Sequence, residues 1–110
     1  VTVWWVIYTN PIRQFYADVA AIPNLNPALP AHQLLRLTGS VQAGSQGEVP
    51  NVSPEFENSS GQCTRLFLRP PIGVRATLFG IQKSQVVELF SGLIEQAELN
   101  QAVCQLQVNA

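Results

Sequence analysis

Residues 72–109 read IGVRATLFGIQKSQVVELFSGLIEQAELNQAVCQLQVN, the longest run of ordered hydrophobic pattern in the chain. Val74, Ala76, Leu78 and Gly80 alternate with Arg75, Thr77, Phe79 and Ile81, the period of a strand with one apolar face. Ser84 then stands where a helix N-cap would sit, its hydroxyl free to accept an orphan amide of the first turn. Val86, Val87, Phe90, Leu93, Ile94 and Ala97 follow at three- and four-residue spacing, with Gln85, Glu88, Ser91, Glu95 and Glu98 between them. That pattern predicts an amphipathic helix. Gly92 inside it would cost about 1 kcal/mol relative to alanine. Ala102, Cys104, Leu106 and Val108 alternate again and predict a second strand. The expected unit is β-α-β, its strands parallel and joined by a right-handed crossover.

Outward from this unit, residues 1–9 are almost continuously apolar, including Val3, Trp4, Trp5, Val6 and Ile7. Such a run predicts a strand covered on both faces and therefore central in its sheet. Asn10 and Pro11 resemble a helix start, and Ile12, Phe15, Tyr16 and Val19 keep helical spacing to about Ile22. Pro23, Pro27 and Pro30 make residues 23–30 a stiff extended connector. Alternation predicts a strand through residues 33–42, and residues 63–69 resume strand character before Pro70 and Pro71 interrupt it. Between them, residues 43–62 are rich in Gly, Ser, Asn, Pro and Glu and read as a long flexible hairpin loop, with Phe56 its one aromatic exception.

The expected order is β-α-β-β-α-β. It corresponds to a ferredoxin-like split βαβ fold of the α+β class, a two-layer sandwich with the long loop between strands 2 and 3. At 110 residues the chain is expected to be one domain, with both helices on one face of the sheet and the other face solvated or covered by a partner.

Composition narrows the function classes. The apolar fraction is 46% and the charged fraction 12%, so neutral polar groups cover much of the surface. A net charge of −1 lacks the basic field that nucleic-acid or membrane-surface binding requires. No apolar run reaches membrane-spanning length. The absence of an initiator Met and of a signal-like start is expected of a processed or excised chain, leaving an upstream anchor open.

Few residues point to chemistry. Arg36, Arg65, Arg69 and Arg75 all fall on expected strands at positions opposite the core parity. Clustered on an open sheet face, they would grip an anionic ligand or a carboxylate-bearing partner; scattered, they serve solubility and blunt edges. Cys63 and Cys104 are either a disulfide of an exported protein or two buried thiols. Two cysteines and the single distant His32 do not make a zinc spacing pattern, and nothing calls for a metal or cofactor. His32 follows Pro30 and Ala31 in the connector and reads as an exposed loop histidine without a catalytic companion. Trp4, Trp5, Tyr8, Phe67 and Phe79 fit core packing or a protein interface better than a base-stacking platform, since residues 65–68 do not match the RNA-recognition pattern. Asn51 and Asn58 each begin an N-glycosylation triplet, the first weakened by Pro54.

Leu78-Phe79-Gly80, then Val86 to Glu95, then Val103 to Val108, resemble the βαβ portion of the periplasmic ferredoxin-like domains of type IV pilus and type II secretion inner-membrane assembly proteins. The resemblance covers about a third of the chain and rests on hydrophobic pattern. It implies a non-enzymatic, dimerising protein-interaction domain of an exported, periplasmic or membrane-anchored complex. Partner binding would use a sheet face or an edge strand. The alternative is a small dimeric ferredoxin-like ligand-binding protein or enzyme with a sheet-face pocket.

Overall fold

Residues 85–99 form a single strand, not a helix, and this changes the fold class. The computed structural model describes residues 2–18, 22, 25–36 and 51–110. In order they hold β1 (Thr2–Ile7), β2 (Arg13–Tyr16), β3 (Ala31–His32), β4 (Asn51–Val52), β5 (Glu55–Glu57), α1 (Gln62–Leu66), β6 (Arg75–Gln82), β7 (Gln85–Leu99) and β8 (Val103–Asn109). The molecule is mainly β, and the expected two-layer ferredoxin-like sandwich is absent. One eight-stranded mixed sheet runs β3-β2-β1-β6-β7-β8-β4, with β5 also pairing β8.

The reason residues 85–99 imitate a helix lies in their register. β7 pairs with β6 as Phe79↔Glu88 and then Leu78↔Phe90, leaving Leu89 as an extra residue. It pairs with β8 as Ile94↔Val108 and then Gln96↔Gln107, leaving Glu95 extra. Each β-bulge advances the side-chain parity by one. The core-facing positions therefore fall at Val87, Phe90, Gly92, Ile94, Ala97 and Leu99, with steps of three across each bulge. Gly92 has no side chain, so Phe90 and Ile94 look like an i, i+4 pair. Lys83 and Ser84, both at positive φ (50° and 63°), form the two-residue hairpin turn that the sequence disguised as an N-cap. β6 and β8 point the same way but are not paired: β7 lies between them, so the unit is an antiparallel meander and not the expected parallel pair with a right-handed crossover.

The first expected helix fails for a related reason. β2 is covered on both sides: Phe15 faces the main core, whereas Ile12 and Tyr16 join a second cluster around Trp4, Val6 and Ile22. Apolar residues at 12, 15 and 16 satisfy two faces of a strand rather than one face of a helix. β1 lies between β2 and β6, inside the sheet, as its continuous apolar run requires.

Two further segments differ from expectation. Residues 63–66, read as the start of a strand, belong instead to the short helix α1, which begins at Gln62. Residues 51–57, read as part of the loop, contain β4 and β5, and Phe56 is fully buried. Within the expected strand 33–42, Leu35 makes an isolated bridge to Phe56, while residues 37–42 lie outside the described residues, as do residues 43–50 of the loop.

That bridge closes the sheet. Arg36 N–H donates to the Glu55 carbonyl (2.9 Å) and Glu57 N–H to that of Leu34, while Leu35 N–H donates to Tyr16 of β2 (3.2 Å). The sheet thus rolls into a barrel whose seam is the segment after β3 against β5. Trp5, Ile7, Phe15, Phe56, Leu106 and Val108 fill its interior, and one end is covered by α1 through Cys63 and by Phe67 just after it. Asn58, also buried, anchors that helix. Its amide donates to Thr64 Oγ1 (2.9 Å) and to the Asn100 carbonyl (2.7 Å), and its oxygen accepts from Thr64 N–H (3.1 Å). An amide so engaged is not a glycosylation acceptor.

Gly92 is the tightest point. A Cβ there would lie 2.2 Å from the Asn109 carbonyl oxygen, a backbone atom that cannot step aside. Gly92→Ala is therefore expected to destabilise by about 1–3 kcal/mol, the range for forcing a methyl into packed structure. On a helix the same change would stabilise by about 1 kcal/mol, so the sign of the shift in urea midpoint separates the two structures.

Candidate functional site

Two regions place side chains where burial alone does not explain them. The first is the barrel end beneath α1. Arg13 pairs with Ile7 and so shares the inward parity of Phe15. His32 pairs with Phe15 across the parallel β2–β3 ladder and faces the same way, its ring tilted on that of Phe15 with centroids 5.4 Å apart. Arg13 Nη1 donates to His32 Nε2 (3.1 Å), and the Gln62 amide of α1 lies 3.4 Å from His32 Nδ1. A guanidinium only donates, so Nε2 must be the acceptor and the proton sits on Nδ1. Nδ1–H then donates to the Gln62 amide oxygen, an orientation assigned from the network. Burial first, and the Arg13 charge second, hold the His32 pKa below its ordinary value. His32 is thus a half-buried, oriented strand residue and not the exposed loop histidine expected.

The second region is the outer face of β1, β2 and the β6–β7 hairpin. Trp4 and Phe79 stack there with centroids 5.8 Å apart. With Tyr8, Ile12, Leu29 and Val86 they line a groove of about 260 Å³ that contains no charged side chain. Tyr8 is 40% and Val86 44% exposed. Gln14 underlies the groove, buried, its amide donating to the Asn26 carbonyl (2.7 Å) and its oxygen accepting from Asn26 N–H (3.3 Å). This pair holds residues 25–29 against the sheet and makes one wall. The expected aromatic group is split: Trp5 and Phe67 go to the barrel interior, while Trp4, Tyr8 and Phe79 meet outside.

The four arginines are placed separately. Only Arg75 is on a strand, where its Nη1 donates to Ser91 Oγ (3.2 Å). Arg65 is on α1 and donates to the Ser60 carbonyl (3.3 Å); Arg69 is exposed beyond it; Arg36 is exposed at the barrel seam. Among the described residues no two of them share a hydrogen-bond partner. The arginine that does meet other polar groups, Arg13, was invisible because its strand read as helix.

Cys63 and Cys104 are free and buried, which corrects the disulfide reading. They are neighbours: a hydrogen bond to Cys104, then burial, push the Cys63 thiol far up. The Glu57 carbonyl lies 3.3 Å from Cys63 Sγ and is a second acceptor within reach of its single S–H. Among the described residues, no group of three or more His, Cys, Asp or Glu side chains is placed to hold a metal ion.

No protein family and no curated protein matches the chain. A solved structure does: a chain of the virion of a native gene transfer agent particle superimposes with a TM-score of 0.74 at 10% identity. The match covers 98% of this chain and 39% of that one, so the present chain spans about two fifths of the virion protein's length. At this identity the likeness is one of fold.

Thiol labelling in denaturant without reductant is expected to modify both cysteines, and in native buffer to be slow at each. Acid should weaken the fold through His32. With its folded pKa lowered, the unfolded chain binds more protons as pH falls below 6.5, so stability drops there and levels off once the folded-state value is passed. Urea midpoints between pH 8 and 5 in low-salt buffer should show this slope in the native chain and a flatter one in His32→Gln.

Proposed function

We propose that this chain is a non-enzymatic structural module of a multi-subunit, virion-like particle, docked through the apolar groove on its outer face. The observation that carries the reading is a fold match along nearly the whole chain to a component of such a particle. The groove supplies the means. Singly exposed apolar residues are ordinary on a protein surface. Here Tyr8 and Val86 flank a concavity floored by a stacked aromatic pair, with no charge in its lining, as in the centre of a protein interface. Its complement is an uncharged segment of a neighbouring subunit offering an aliphatic or aromatic anchor.

The low charge content fits the same role, since an assembled module needs less self-repulsion than a free one. A second hollow of about 620 Å³ around Ser53, Gln96, Gln105 and Gln107 also holds Pro70 and the half-exposed Ile72, but Glu98 places a charge in its lining and it has no stacked aromatic floor.

The test is incorporation. Val86→Lys places a charge at the groove's rim on an exposed strand position, where stability should change by no more than about 0.5 kcal/mol. Particles from cells expressing the full-length variant are expected to contain at least about tenfold less of it than of the native protein, the equivalent of about 1.4 kcal/mol at the interface. Equal incorporation would remove the groove from the assembly. A native chain recovered wholly as a free protein outside any particle would end the structural role.

A further inference from the structure

We propose that Arg13, His32 and Gln62 form a binding site for a small oxyanion, a carboxylate or a phosphate, at the covered end of the barrel. The mouths of β-barrels are common ligand sites. This one is built from inward-facing positions that barrels ordinarily fill with apolar side chains. Instead it holds a half-buried guanidinium, whose hydrogen bond goes to a neutral imidazole rather than to a carboxylate. One of its five N–H groups is used in that contact, and among the described residues no carboxylate hydrogen-bonds the guanidinium. Burying a charge without a counter-charge is costly, and an oxyanion is the group whose geometry suits the guanidinium fork.

The remaining groups are suited to the same ligand. Gln62 of α1 fixes the ring by accepting from Nδ1–H, which keeps the Nε2 edge turned to the guanidinium, and the Phe15 ring backs the imidazole. The charged group facing His32 is Arg13 of β2; α1 faces it with Gln62, and Arg65 of that helix is turned to the Ser60 carbonyl. With an oxyanion between them, Arg13 and His32 need no longer bond each other. His32 Nε2 takes up one proton from solvent, and both side chains donate to the ligand. Anion binding and protonation of His32 are therefore linked, and each strengthens the other.

The experiment follows the His32 imidazole by proton NMR from pH 8 to 5 in three solutions of equal ionic strength: chloride alone, chloride with acetate, and chloride with inorganic phosphate. The expected result is a titration midpoint about one unit higher with the effective anion, which corresponds to about tenfold tighter binding by the imidazolium form. The acetate and phosphate arms tell a carboxylate from a phosphate site. In Arg13→Gln the rise should vanish. Should that variant not fold, the native protein still decides the matter through the anion-dependent shifts of its amide spectrum, expected at Arg13, His32 and Gln62. A midpoint that neither anion moves, a rise that survives in Arg13→Gln, or shifts spread over the surface would each overturn the site.

Discussion

The backbone crossing at Gly92 governs the architecture. There the Asn109 carbonyl of β8 occupies the space a side chain would need, and β7 changes partner. Residues 85–93 pair with β6 and residues 93–99 with β8, so one strand serves two neighbours in succession. A flat strand cannot do this. The bulges at Leu89 and Glu95 supply the extra twist, and the missing Cβ supplies the clearance. Without that bend the sheet would stay open, and Leu35 would not reach Phe56 to form the seam.

Closure divides the apolar side chains into two populations. Residues facing inward, among them Trp5, Phe15 and Phe56, build a core that needs no partner. Residues facing outward on β1 and the neighbouring strands form a second cluster in which Trp4 and Val6 are buried with Ile22 and Phe79 only in part, while Tyr8 and Val86 stay exposed along the groove. The polar cluster at the opposite logic's expense sits inside: Arg13 and His32 face inward at the rim, where α1 meets the barrel. Surface and rim thus carry different chemistry, one apolar and uncharged, the other cationic and hydrogen-bonded.

How far these sites could be read from the residues depended on the element beneath each. Trp4, Tyr8 and Phe79 stood out as aromatics in strand sequence and read as core packing or an interface; the separation of Trp4 from Trp5 needed only strand parity. Arg13 and His32 were beyond reach. Residues 11–22 mimic a helix because both faces of β2 are covered, and His32 pairs with β2 through a parallel ladder of just two residues. No local signal announces so short a pairing. The buried state of Cys104 followed from alternation, but its proximity to Cys63 depended on α1, which read as strand.

Strand alternation along β1, β6 and β8, the internal position of β1 and the low surface charge were all written in the chain itself, because period-two burial and net charge are local properties. The class of the fold was not. Bulges turn a period of two into steps of three and four, and an amphipathic helix leaves the same trace. Only long-range pairing separates them: the hydrogen bonds β7 makes on either side, and the contact of Leu35 with Phe56 that closes the barrel. Those interactions join residues far apart in sequence, and they set which apolar residues face outward and which polar side chains meet at the rim.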